Sequence, residues 1–150
     1  METNSILTKN RPLVAVTMGD PAGIGPETII KAFQRNDFEE ICRALVIGDA
    51  RLLISIASKI GISLSINSIQ EVGEAKYQYG ALDVLDLKNV PENLSIGKAC
   101  REGGQACLDY IRVAVKLALE DKVDAITTGP INKKGIRLAG YSYPGHTEFL

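Results

Sequence analysis

An α/β fold with a largely parallel sheet is what the sequence predicts, and three observations carry that expectation. Short, nearly unbroken apolar runs alternate along the chain with segments of helical period. Runs of that kind suit strands covered on both faces. The joins between them are rich in Gly and Pro or carry an Asp that can cap a helix. With 150 residues the chain is long enough to bury one substantial core.

The elements follow in order. Leu13 to Thr17 (LVAVT) is the first buried-strand candidate. After the loop MGDPAGIGPE, Pro26 takes a first helical position and Glu27 the first turn, so a helix is expected over 27–33. Ala44 to Ile47 is the second strand, and Asp49 can cap a helix over 50–60 that ends at Gly61. Ile62, Leu64 and Ile66 alternate with serines, the pattern of a half-buried strand near an edge. Residues 71–80 are polar and irregular, 82–87 form another strand, and Pro91 closes that region.

The longest helix is expected over 98–121, with Cys107, Ile111, Val115 (or Ala114) and Ala118 at helical spacing and Gly103-Gly104 weakening its first turns. A strand over 124–128 is broken by Gly129-Pro130, and a short helix over 133–139 follows. Residues 1–10 are polar, lack the apolar segment of a secretory signal, and read as a disordered lead-in. Glu148 to Leu150 read as the start of a further element, so 11–150 is expected to be the N-terminal part of a longer, two-lobed protein.

Composition narrows the function classes. Apolar residues make up 45% and charged residues 23%, as in an ordinary soluble domain. The formal net charge is −1, from 17 basic and 18 acidic side chains, and no basic concentration marks a nucleic-acid partner. No apolar run approaches the roughly 20 residues of a membrane span. Cys42, Cys100 and Cys107 have no C-x-x-C spacing, which argues against a disulfide frame or a zinc site. Buried, reduced thiols and a cytoplasmic setting are the expectation.

Three loops carry chemistry. In the first, Gly23 and Gly25 let the backbone approach a ligand and the helix behind them favours an anion, although the loop is neither G-x-G-x-x-G nor a Walker loop. A plain strand-to-helix turn fits it equally, and Asp20 either caps that turn or faces a substrate. The second, Thr127 to Lys134 (TTGPINKK), gathers hydroxyls, Asn132 and Lys133 at a strand end; it reads as a phosphate or carboxylate site or as a capped helix start with solvated lysines. The third, Pro144 to Glu148, holds His146, the single histidine, in a polar setting where an imidazole can hold an anion or polarise a hydroxyl. Ligands of open α/β sheets bind beyond the carboxyl ends of the strands, so the three loops are expected to meet at one crevice.

In this order and spacing, MGDPAGIGPE at 18–27, TTGPINKKG at 127–135 and GHTEF at 145–149 resemble the 4-hydroxythreonine-4-phosphate dehydrogenase (PdxA) family, over almost the whole chain from Arg11 onward. The resemblance implies a three-layer α/β/α fold like that of isocitrate and isopropylmalate dehydrogenases. It implies NAD-dependent oxidation of 4-phosphooxy-L-threonine to 2-amino-3-oxo-4-phosphooxybutanoate. Loss of carbon dioxide then gives 3-amino-2-oxopropyl phosphate, on the way to pyridoxal 5'-phosphate. It further implies a homodimer with a divalent metal (Zn, Mg or Co) held by residues beyond this chain, so no metal ligand is assigned here. His146 and Thr147 inherit substrate contact from the GHTE match.

Some members of the family carry His where this chain has Asn132, and relatives oxidise erythronate or threonate 4-phosphate, which stands as the alternative substrate class. An acyl-phosphate transferase of related lobe architecture and a non-catalytic phosphate-binding module are the competing classes, and GHTEF speaks against the first. The 150 residues alone are expected to lack dehydrogenase activity.

Overall fold

The computed structural model describes residues 11–35, 37–142 and Thr147. Five strands form one sheet: β1 (Leu13–Thr17), β2 (Arg43–Gly48), β3 (Ser65–Ile69), β4 (Ala81–Asp86) and β5 (Ala125–Thr128). The helices are α1 (Gly25–Arg35), α2 (Ala50–Lys59), α3 (Arg101–Leu119) and α4 (Lys133–Leu138), with a 3₁₀ turn at Val72–Glu74. The strand order is β3-β4-β2-β1-β5 and every adjoining pair is parallel. The α/β class and the parallel sheet are therefore as the sequence predicts.

Strand order and handedness place the layers. From β1 the chain steps to β2 and on to β3 in one direction, then returns from β4 across the sheet to β5. Right-handed crossovers in opposite directions put α1 and α2, which touch each other, on one face and α3 on the other. The central strands carry the core: Ala15, Leu45, Val46, Ile47, Leu82 and Val84 have no solvent exposure. Alpha-1 buries Ile29, Ile30 and Phe33 against this layer.

Asp49 caps α2 as its position suggests, its Oδ1 accepting the Leu52 N–H at 3.0 Å. Gly61 beyond that helix has φ +71°, the left-handed conformation expected of a C′ glycine.

Three expectations need correction. Beta-3 lies three residues later than the Ile62–Ile66 alternation suggests, though it is an edge strand as expected. Its position is set by β4: Asn67 donates to Asp83 at 2.7 Å and Ser68 to Asp86 at 2.8 Å, partners a local pattern does not reveal. The apolar stripe of α3 runs through Cys107, Tyr110, Ile111, Ala114 and Leu117, so Ala114 rather than Val115 faces the core. The three cysteines are free, but only Cys107 is buried; Cys42 and Cys100 are half-buried. No described helix is long and apolar enough to cross a membrane.

Candidate functional site

Beta-1 and β5 are neighbours whose chains leave toward opposite faces of the sheet. Beta-1 continues into α1, whereas β5 continues into α4, which packs on α3. Divergence of this kind opens a crevice at the carboxyl ends of the strands, where open α/β sheets bind ligands. Loops 18–24 and 129–132 flank that point, so two of the three motif loops converge as expected. His146 lies outside the described residues; Thr147 is exposed.

The two loops are stitched together at their base. The Asp20 N–H donates to the Pro130 carbonyl at 2.8 Å, and the Gly129 N–H to the Thr17 carbonyl at 2.8 Å. Gly19, at φ +79°, permits this approach, because an added Cβ would collide with the Pro130 carbonyl. Gly25 is likewise pinned against the Met18 carbonyl. Gly25 thus serves contact between backbones rather than approach of a ligand, while a Cβ at Gly23 would stand 3.1 Å from Asp20 Oδ2.

Asp20 sits at the centre, only 4% exposed. Its Oδ1 accepts the Ala22 N–H at 2.9 Å, and the Asn132 side chain lies close enough to favour the carboxylate form. Of the two roles the sequence leaves open for Asp20, capping the turn is therefore realised. Burial dominates its ionisation and raises its pKa above the ordinary carboxylate value, although both contacts pull the other way. The first turn of α3 lies against it: a Cβ at Gly103 would stand 2.7 Å from Oδ1. The positive end of a 19-residue helix favours a carboxylate at that position.

Asn132 joins the two motif loops. Its Oδ1 caps α4 by accepting the Lys134 and Gly135 N–H groups at 3.0 and 3.2 Å, and its amide reaches Asp20. Lys133 and Lys134 are exposed beyond it. Sequence reasoning thus named Asp20 and Asn132 without a reason to join them; 112 positions apart (132 − 20), they are neighbours in the fold.

A third loop was missed. The Gly97 N–H donates to the Ala22 carbonyl at 2.7 Å, which brings residues 94–100 and exposed Lys98 to the same mouth. Gly97 at φ +86°, placed just before a long helix, was the available signal. The glycine pair at the start of α3 was also misread as a weakness. A Cβ at Gly104 would overlap the Gly135 carbonyl, so the pair is what lets α3 and α4 touch. Burial, with the Asp20 charge second, pushes the Cys107 thiol up to about 12, so it stays protonated and is no nucleophile. Among the described residues no group of three or more His, Cys, Asp or Glu is placed to hold a metal ion.

Comparison with known proteins puts these features in a family. Residues 40–150 match the model of the family described as pyridoxal phosphate biosynthetic protein PdxA. The chain is 42% identical over 139 residues to a D-threonate 4-phosphate dehydrogenase from Cupriavidus necator, covering 93% of this chain and 42% of that one. A crystal structure of a 4-hydroxythreonine-4-phosphate dehydrogenase from Burkholderia phymatum superposes with a TM-score of 0.89 at 40% identity, over 93% of this chain and 42% of the other. The corresponding structure from Klebsiella pneumoniae gives 0.86 at 37% identity, over 93% and 43%. The chain therefore spans about two fifths of the length of these relatives.

Proposed function

The chain belongs to the PdxA family, and we propose that the whole protein oxidises a secondary hydroxyl of a four-carbon, 4-phosphorylated acid with NAD and a divalent cation. The observation that carries this reading is the pair of family motif loops meeting at the β1–β5 switch point, stitched by the Asp20 N–H on the Pro130 carbonyl. D-threonate 4-phosphate is the substrate favoured by the curated relative at 42% identity. The description of the family and the names of the solved structures support a second substrate, 4-phosphooxy-L-threonine.

In such a reaction NAD accepts the hydride and the cation stabilises the developing alkoxide. The described residues of the β1–β5 crevice do not fit either group. The glycines there are taken up by contacts within the fold, and no metal-ligating cluster is present among the described residues. Both groups are therefore proposed to be held away from this crevice, at the subunit boundary of a homodimer in the case of the metal. The part assigned to this chain is positioning. His146 and Thr147 contact the substrate, and Asp20 with Asn132 fixes the base of the two described motif loops.

The test is NADH formation by the whole protein with each acid phosphate in turn. Metal-dependent turnover with a kcat/KM at least about 100-fold higher for D-threonate 4-phosphate assigns the substrate; the reverse preference selects the threonine derivative. No turnover of either would sink the reading.

A further inference from the structure

We propose that the groove between the β4–α3 connection and the first turns of α3 is a binding subsite for a phosphate group. The groove lies on the carboxyl side of the sheet and has a volume of about 440 Å³. Its wall includes Lys88, Asn89, Arg101, Glu102 and Gln105. Lys88 and Arg101 are exposed, and neither is ion-paired among the described residues. Glu102 is the one carboxylate on the groove wall beside Lys88 and Arg101, while Asp86 and Asp109 behind the wall are engaged by hydrogen bonds. A guanidinium fork beside a mobile ammonium suits a tetrahedral dianion better than a planar monoanion.

The backbone that presents Lys88 is built for the purpose. Lys88 has φ +50°, a left-handed conformation that costs a lysine energy and persists only where its surroundings enforce it. Here they do. The Lys88 N–H donates to Asp86 Oδ1 at 3.2 Å, and the Val90 N–H to Asp49 Oδ2 at 3.2 Å. Arg51 donates to the Val90 carbonyl. Buried Tyr110 donates to Asn89 Oδ1 at 2.9 Å, while Asn89 and Gln105 both donate to Asp109, at 3.4 and 2.9 Å. Asn89 and Gln105 therefore brace the groove, and Lys88 and Arg101 are left to meet the ligand.

The identity of the ligand rests on the dehydrogenase reading, which supplies two phosphate sources: the diphosphate of the dinucleotide and the phosphate of the substrate. The existence of the subsite does not depend on it. Calorimetric titration of the whole protein with inorganic pyrophosphate tests it without turnover. Arg101→Gln and Lys88→Gly should each weaken pyrophosphate binding at least about tenfold, with Lys59→Gln, on a remote exposed helix end, as the unchanged control. Lys88→Gly should also raise thermal stability, because glycine accepts the left-handed backbone. Loss of binding with gain of stability cannot come from misfolding.

A parallel loss of NAD affinity in both variants assigns the subsite to the dinucleotide. A loss confined to the phosphorylated acid assigns it to the substrate, and loss of neither supports a phosphate ligand outside the proposed reaction. Failure of the wild type to bind pyrophosphate, or equal binding by wild type and both variants, overturns the proposal.

Discussion

Replacing Asp20 by Ala probes the tie between the two motif loops most sharply. The substitution strands the buried Ala22 N–H and removes the carboxylate beside the Asn132 amide. The unsatisfied buried N–H costs about 1–3 kcal/mol, whereas the half-buried Asn132 amide can turn to water. Part of this is returned, because Asp20 carries a desolvation penalty large enough to raise its pKa. A net loss of about 1–2 kcal/mol is expected, or about 3–8 °C in Tm for a domain of this size.

Asp20→Asn keeps an acceptor for Ala22 and carries no buried charge, so it should stay within about 1 kcal/mol of wild type at pH 7. The sign of the pH effect follows from linkage. A carboxyl whose native pKa is raised binds more protons folded than unfolded, so it lowers stability as pH rises from the ordinary carboxylate value through the raised native one. Urea denaturation between about pH 4 and pH 7 should therefore show wild type losing stability relative to Asp20→Asn as pH rises. An Asp20→Ala variant within about 0.5 kcal/mol of wild type, or a pH difference of opposite sign, would refute the reasoning.

Three further outcomes follow from the same structure. Gly104→Ala should destabilise by about 2 kcal/mol or more, because its Cβ overlaps the Gly135 carbonyl, even though helix propensity alone predicts a gain of about 1 kcal/mol; denaturant titration reads the sign. Thr17→Val should be neutral or stabilising by up to about 1 kcal/mol, because the Thr17 hydroxyl is fully buried without a hydrogen-bond partner; calorimetric Tm checks it. His146→Ala in the whole protein should lower kcat/KM by about 10²–10⁴-fold, the range for a positioned acid, base or anchoring group, as steady-state kinetics would show.

Much of the fold was legible because the strands of a covered parallel sheet are unbroken apolar runs. Leu13 to Thr17 is a strand with the bounds the sequence suggests, and Asp49 caps α2 where expected. What the sequence hid was non-local. The alternation from Ile62 to Ile66 fits several registers, and only Asp83 and Asp86 on the neighbouring strand select one. Gly103 and Gly104 look like poor helix formers until Asp20 and Gly135 are seen against them. Asp20 had two open roles; the Ala22 N–H settles the cap, but the burial of Asp20 against Gly103 is something no local pattern reveals. The motif residues themselves were readable; which of them hold one another was not.

A crystal structure of the whole protein with D-threonate 4-phosphate or 4-phosphooxy-L-threonine bound tests the central claim most directly. The ligand is expected at the mouth between the carboxyl ends of β1 and β5, above Asp20 and Asn132, with His146 and Thr147 within about 3.2 Å of its polar atoms. A ligand bound at the amino ends of the strands, or on a surface remote from loops 18–24 and 129–132, would contradict it.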